Sequence, residues 1–362
     1  MTQDPGLASW LQLTLTPGLG AAAIRGLLKQ FGLPEIILSA TRAQLERAAG
    51  PAAGQLLNPE GIAAAIERAL RWTAESGHAV VTLADAGYPR LLLEIPDPPP
   101  LLYATGRLDL LARPALAVVG SRNATAQGVR DAEQFAKSFS AAGLTIVSGL
   151  ALGIDAAAHR GGLAAEGSTI AVLGTGVDVI YPRQNAELAG SIARAGLLLS
   201  EFPLGTHGAA QNFPRRNRLI SGLSQGCLVV EAALASGSLI TARAAAEQGR
   251  EVFALPGSIH SPLSKGNHAL IKQGAKLVES AEDVLAELTA FRRTGFASTR
   301  AAATTAEPPG ALLQHMGFDP VDLDSLCVRA GLSAEQVAAE LLRLELAGRI
   351  ATLPGGLYQR LN

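Results

Sequence analysis

Residues 115–149 read ALAVVGSRNATAQGVRDAEQFAKSFSAAGLTIVSG. Two short apolar runs, Ala115–Gly120 and Thr145–Gly149, flank a segment with helical periodicity, Gln127–Ala142. Strands of such continuous apolar character are typical of a parallel sheet that is buried on both faces. The order strand, helix, strand therefore predicts a right-handed βαβ unit, the building block of an α/β domain.

The same alternation continues towards the C-terminus, where five more apolar runs have the length of strands. They lie at Thr169–Gly174, Leu197–Phe202, Cys227–Glu231, Glu251–Leu255 and Lys276–Glu279. We therefore predict a doubly wound, Rossmann-like α/β domain over residues 113–290. Residues 291–309, rich in Thr, Ala and Pro, are interpreted as a linker.

The N-terminal residues 1–78 have helical periodicity and predict a domain of the SAM or helix-hairpin-helix type. Its first two helices are predicted at Ala8–Leu15 and Ala21–Phe31, joined by the turn TPGLG. In a helix-hairpin-helix, the glycines of such a turn let backbone N–H groups approach a DNA phosphate. A purely structural turn is an equal alternative, because only Arg25 and Lys29 supply positive charge after it.

Between these two domains, residues 79–112 are predicted to form an extended connector that packs on the central domain. The prolines at 98–100 exclude a helix there. Leu101–Ala104 follows them and is predicted to be an edge strand.

The C-terminal residues 310–362 predict a winged-helix-like domain, with helices at Asp322–Ala330 and Ala334–Ala347 and a hairpin at Arg349–Gln359. A winged helix that grips duplex DNA should be basic on its second helix. This unit instead carries more acidic residues than arginines: Asp319, Asp322, Asp324, Glu335, Glu340 and Glu345 against Arg329, Arg343, Arg349 and Arg360. A regulatory or protein-contact role is at least as well supported.

Composition limits the classes of function. The net charge is −1, so a site for nucleic acid must be local rather than a general positive field. Cys227 and Cys327 stand far apart without a motif, and the six histidines are scattered, so we expect neither a metal site nor a disulfide, and no cofactor. No apolar run is long enough to span a bilayer, and we expect a soluble, cytoplasmic protein without membrane partners.

The carboxyl ends of the predicted strands carry the chemistry, because ligands of an open parallel sheet bind there. Glycines and serines at these ends offer N–H groups and hydroxyls to an anion. They are Gly120, Ser121, Ser148, Gly149, Gly174, Gly176 and Ser238. Arginines from several loops add positive charge: Arg122, Arg183, Arg215, Arg216 and Arg218. Tyr181 and Phe213 provide rings on which bases can stack, so we interpret this edge as a groove for single-stranded DNA.

The same edge of the sheet allows other interpretations. The third glycine of a dinucleotide fingerprint and a P-loop sequence are both absent. Asp155 and His159 lie one turn apart and are either an acid/base pair or, as we favour, an anchor for their helix. Glu201 and Glu231 end buried strands and are either catalytic carboxylates or partners of the arginines.

Several long motifs of the central domain, in order, resemble the DNA-processing protein A (DprA/Smf) family. The resemblance spans about Gly106 to Leu288 and rests on AVVGSR at 117–122, SGLALGID at 148–155 with Ala158-His159, Tyr181-Pro182-Arg183 with Asn185, Phe213–Ser221, Gly237–Ala242, and Pro256-Gly257 with Gly266-Asn267 and Gly274-Ala275. The basic residue after Tyr-Pro, often Lys in relatives, is Arg183 here. We therefore expect a forked guanidinium contact where those relatives have the point charge of a lysine.

The resemblance implies a non-catalytic mediator that binds single-stranded DNA, forms a homodimer through the Rossmann-like domain and loads a RecA-type recombinase in natural transformation. The expected DNA-binding residues are Gly120, Ser121, Arg122, Ser148, Gly149, Gly174, Gly176, Tyr181, Arg183, Asn185, Phe213, Arg215, Arg216, Arg218, Ser221 and Ser238. An alternative is a nucleoside-monophosphate phosphoribohydrolase of the lysine-decarboxylase-like Rossmann group. Its Pro-Gly-Gly-x-Gly-Thr loop has no counterpart at Pro256–His260.

Overall fold

In this computed structural model, residues 5–288, 311–316, 320–346, 348–353 and 356–361 are described. The predicted linker at 291–309 lies outside them. The strands are β1 His78–Thr82, β2 Leu101–Gly106, β3 Ala115–Val119, β4 Thr145–Ser148, β5 Thr169–Val172, β6 Leu197–Ser200, β7 Gly226–Val229, β8 Glu251–Ala254, β9 Lys276–Leu277, β10 Val321–Asp322, β11 Ile350–Leu353 and β12 Leu357–Arg360.

The helices alternate with these strands. They are α1 Pro5–Leu15, α2 Ala21–Phe31, α3 Pro34–Ser39, α4 Arg42–Ala49, α5 Ala63–Thr73, α6 Arg90–Leu93, α7 Ala126–Ala141, α8 Ile154–Leu163, α9 Ala186–Ala195, α10 Asn212–Gly222, α11 Ser238–Glu247, α12 Lys265–Lys272, α13 Ala281–Glu287, α14 Leu323–Ala330 and α15 Ala334–Leu346. Short 3-10 turns occupy Pro51–Leu57, Pro59–Ile62, Leu108–Ala112, Arg183–Asn185, Pro262–Ser264 and Ala311–Gln314.

The first nine strands form one sheet in the order β1-β2-β6-β5-β4-β3-β7-β8-β9. All neighbours from β6 to β9 are parallel, whereas β1 and β2 are antiparallel additions. The chain winds outward from β3 to β6 and then returns to β7, on the other side of β3. The prediction of a doubly wound sheet is confirmed, and its switch point lies between β3 and β7.

Both faces of this sheet are covered, as the continuous apolar runs predicted. Along β3, Leu116 and Val118 belong to the core layer that includes Phe139 of α7. Ala117 and Val119 belong to the opposite layer, with Leu219 of α10. Thr125 accepts a hydrogen bond from the Gly128 N–H and caps α7, so the helix begins one residue before the predicted Gln127.

One prediction about the connector is wrong. Leu101–Ala104 lies in β2, which is not an edge strand, because it pairs with β1 on one side and with β6 on the other. The sequence reading also missed β1. The edge of the sheet is therefore at His78–Thr82, and the chain enters the sheet before the prolines.

Each of the two flanking units has a small hydrophobic core of its own. Leu13, Leu27 and Leu45 pack together in the N-terminal helices. In the C-terminal unit, the Asp322 side chain caps α14, and α15 is followed by the β11–β12 hairpin, with β10 as a third strand. This is the predicted winged-helix arrangement. No helix in the described parts of the chain combines the length and the apolar character needed to cross a membrane.

Candidate functional site

A groove of about 670 Å³ opens at the switch point of the sheet. One wall comes from the end of β3, at Gly120–Asn123, and the other from the loop and first turn of α11, at 233–241. The N-terminal half of α10 closes it from above. The structure thus brings these six of the predicted residues together: Gly120, Ser121, Arg122, Phe213, Arg216 and Ser238.

An aromatic and cationic cluster lies at the mouth of this groove. The Phe213 and Tyr181 rings are 5.6 Å apart between centroids and tilted by 36°. The Arg122 guanidinium carbon lies 5.6 Å from the centroid of the Phe213 ring. A Cβ at Gly174 would come within 2.8 Å of the same ring, so the close approach of Phe213 requires glycine there. Tyr181 is 51% exposed, which leaves its ring available to a ligand.

Arg216 is buried beneath the groove rather than displayed on it. Its Nη1 donates to the carbonyls of Gly149, at 2.6 Å, and Val172, and its Nε donates to Asn217. A Cβ at Gly149 would meet the guanidinium at 2.6 Å, so that glycine makes room for it. Burial lowers the pKa of Arg216 to about 10, which still leaves it charged at neutral pH. It therefore places a positive charge under the carboxyl ends of β4 and β5.

Asp155 and His159 form the anchoring arrangement rather than an accessible acid/base pair. The Asp155 carboxylate accepts from the N–H groups of Gly149 and Ala151. His159 is fully buried; its Nε2 accepts from the Leu150 N–H, and its Nδ1 lies 2.8 Å from the Thr169 hydroxyl. Burial, reinforced by the nearby Arg216, lowers the pKa of His159 to about 3, so the ring stays neutral.

Glu231 also serves as an anchor. Its carboxylate accepts from the N–H of Thr125 at 2.9 Å and from the Thr125 hydroxyl at 2.6 Å, directly beside Gly128 of α7. Burial raises the pKa of the Glu231 carboxyl. Neither Glu231 nor Glu201 is among the residues that line the groove.

Four of the residues expected to bind DNA instead make hydrogen bonds or packing contacts within the protein. Ser148 is buried and donates to the Val118 carbonyl, and Ser221 donates within its own helix. Asn185 donates to the carbonyls of Leu150 and Ala151. Gly176 packs against Pro203 and Asp178, away from the groove. We therefore replace the expectation of direct contact at these four positions by a supporting role.

The other arginines that were expected to bind DNA divide into two groups. Arg122 and Arg183 are exposed on separate loops at the ligand edge. Arg215 borders a second cavity of about 220 Å³ between α2 and the end of β6. Arg218 is only 16% exposed and holds Glu201 and the connector at Asp97. Arg25, one of the two cations that follow the N-terminal turn, also pairs with Asp97, at 2.5 Å.

The residues expected to bind DNA did not include Ala233, Ala235, Ser236, Gly237 or Asn217, which also line the groove. Gly237 precedes the N-terminus of α11, and the Ser236 hydroxyl lies 2.7 Å from that of Ser238. This loop before α11 could have been predicted from the sequence, because a glycine between two serines after a strand is the same pattern that identified the other loops of the groove.

Comparisons with known proteins agree with this architecture. Residues 79–289 match the family model for DNA recombination-mediator protein A, and residues 296–356 match that for the DprA winged helix domain. The protein Smf of Escherichia coli is 46% identical over 306 residues, which are 82% of this chain and 81% of Smf.

Two solved structures are also similar. That of DprA from Streptococcus pneumoniae has a TM-score of 0.69 and 39% identity, and the match covers 79% of this chain and 99% of that one. The second is the structure of DprA from Helicobacter pylori, whose description concerns its single-stranded DNA binding mode. It has a TM-score of 0.52 and 31% identity, and the match covers 57% of this chain and 93% of that one.

Proposed function

The chain belongs to the DNA recombination-mediator protein A family, and we propose that it binds single-stranded DNA in the groove at the switch point of its sheet. The observation that carries this proposal is the cluster of Arg122, Phe213 and Tyr181 over the buried charge of Arg216. Rings beside cations suit a strand whose bases are exposed, because every base has a face that can stack.

The residues of the groove would act in two ways. Arg122 and Arg183 reach phosphates, while Phe213 and Tyr181 stack on bases. The N–H groups at the start of α11 add favourable dipoles for an anion. Duplex DNA does not offer unstacked bases, so the site should prefer single strands. Arg216, Asp155 and His159 fix the loops that carry these groups.

The wider role follows the family. We propose that the protein protects incoming single-stranded DNA and loads a RecA-type recombinase during natural transformation. We also propose that it acts as a homodimer through the Rossmann-like domain. The groove binds without catalysis in this account, since the buried carboxylates and His159 are committed to internal hydrogen bonds.

Fluorescence anisotropy of labelled oligo-dT, measured against salt concentration, tests the proposal. Binding should weaken with salt at a slope of about −0.7 per neutralised phosphate. Arg122→Ala and Arg183→Ala should each weaken binding about fivefold, as expected for an exposed ion pair worth up to about 1 kcal/mol. The matched control is Arg194→Ala, because Arg194 lies near the C-terminal end of α9, at the opposite edge of the sheet. Unchanged binding in both groove variants would show that the groove is assigned wrongly.

A further inference from the structure

A chain of five charged side chains runs from the N-terminal helices to α10, the helix whose Phe213, Pro214 and Arg216 line the groove. In order it is Arg25, Asp97, Arg218, Glu201 and Arg215, and we call it the rim network. Arg25 of α2 lies 2.5 Å from the Asp97 carboxylate, and Arg218 donates to the Asp97 carbonyl at 2.6 Å. Three cations thus share two carboxylates, which leaves the network with a single positive charge.

The two arginines on α10 are held unequally by Glu201. Arg218 lies 2.5 Å from its Oε2 and is 16% exposed, so this pair is a tight internal contact. Arg215 is 53% exposed, and its Nε lies 3.3 Å from Oε1. Charge-assisted hydrogen bonds are ordinarily about 2.7–2.9 Å long, so the contact to Arg215 is the looser one.

The surroundings of Arg215 leave it able to change partners. Its guanidinium lies over the Phe202 ring, 5.3 Å from the centroid, and borders the 220 Å³ cavity between α2 and β6. An anion therefore has room to approach it. The Glu201 side chain is only 2% exposed, so water hardly screens its attraction for Arg215.

We propose that Glu201 is a positioning residue that restrains Arg215 and thereby limits the affinity of the groove for single-stranded DNA. This inference rests on the proposed function. A phosphate of a strand that continues from the groove past α10 competes with the Glu201 carboxylate for the Arg215 guanidinium, whereas Arg218 keeps its contacts with Glu201 and the connector. The Glu201 carboxylate thus keeps Arg215 from contacting DNA until a phosphate displaces it.

Glu201→Gln tests this directly in the full chain. The amide oxygen still accepts from Arg218, but no negative charge remains to hold Arg215. Affinity for labelled oligo-dT should rise about fivefold. The slope against salt should steepen by about 0.7, because one more cation becomes free to neutralise a phosphate. The matched control is Glu166→Gln, which removes the same charge from an exposed residue just before β5, at the opposite edge; it should leave affinity unchanged.

Arg215→Ala combined with Glu201→Gln separates release of Arg215 from a general change of field. The gain seen in Glu201→Gln should vanish in the Arg215→Ala background. A gain that persists there, or a folded Glu201→Gln protein that binds with equal or lower affinity, overturns the inference. If circular dichroism shows that Glu201→Gln does not fold, Glu201→Asp decides. Its shorter side chain keeps the charge but withdraws from Arg215, so affinity should again rise, and no rise refutes the inference. Failure of the wild type to bind would instead count against the proposed function.

Discussion

Replacing His159 by glutamine should remove the loss of stability in acid that this buried imidazole causes. The imidazole is buried and neutral, with its pKa lowered to about 3, whereas in the unfolded chain it titrates near about 6.5. Below the unfolded pKa, the unfolded chain therefore binds a proton that the folded protein cannot, and stability is lost as the pH falls. From about pH 7.5 to about pH 4.5 this group should lower the unfolding free energy by about 3 kcal/mol, since each pH unit below about 6.5 costs about 1.4 kcal/mol.

Urea denaturation of wild type and His159→Gln at several pH values measures this difference. Glutamine has an oxygen for the Leu150 N–H and an amide for the Thr169 hydroxyl, but it does not titrate. The variant should start less stable at neutral pH and converge with the wild type as the pH falls. Parallel pH profiles for the two proteins would mean that His159 titrates normally in the fold. The anchoring role would then be refuted and the acid/base reading reopened.

Three substitutions distinguish a residue that stabilises the fold, Arg218, from residues that are proposed to contact DNA, Arg122 and Phe213. Arg218→Ala should lower the unfolding free energy by about 3 kcal/mol, because it leaves the buried Glu201 carboxylate without its main partner. Arg122→Ala should change the unfolding free energy by less than about 0.5 kcal/mol, because its side chain is exposed. Equal midpoints of urea denaturation in the two variants would contradict this difference. Phe213→Leu should weaken oligo-dT binding about tenfold, because a base loses the ring on which it stacks. The slope of affinity against salt should stay unchanged, because no phosphate contact is removed. Anisotropy titrations at several salt concentrations measure both quantities, and a changed slope would show that Phe213 does not act by stacking.

Much of the sheet could be predicted from the sequence because its strands are short, apolar and separated by helices. All seven predicted parallel strands are present, each ending one or two residues before the predicted boundary. The order of the antiparallel strands could not be predicted in the same way. β2 pairs with β6, whose residues lie almost a hundred positions away in the chain, and local periodicity carries no information about such a pairing.

The three arginines of α10 show which properties of the site the sequence predicts and which it does not. Arg215, Arg216 and Arg218 stand close together in sequence and were all assigned to DNA. A helix turns about 100° per residue, however, which places Arg216 on the same face as Leu219 and Ile220, the face that packs on the sheet. That spacing was a usable signal. The partners of Arg218 were not predictable, because Asp97 approaches from the connector more than a hundred residues away.

Photocrosslinking of an oligonucleotide that contains 5-iododeoxyuridine tests whether single-stranded DNA binds in the groove beside Phe213 and Tyr181. The full chain would be irradiated with this single strand, digested, and the modified peptide identified by mass spectrometry. Crosslinks should fall on the peptides that carry Phe213 and Tyr181, since these rings lie together at the mouth of the groove. Crosslinks confined to the N-terminal turn at Thr16–Gly20 or to α15 of the winged helix would show that the DNA binds outside the groove.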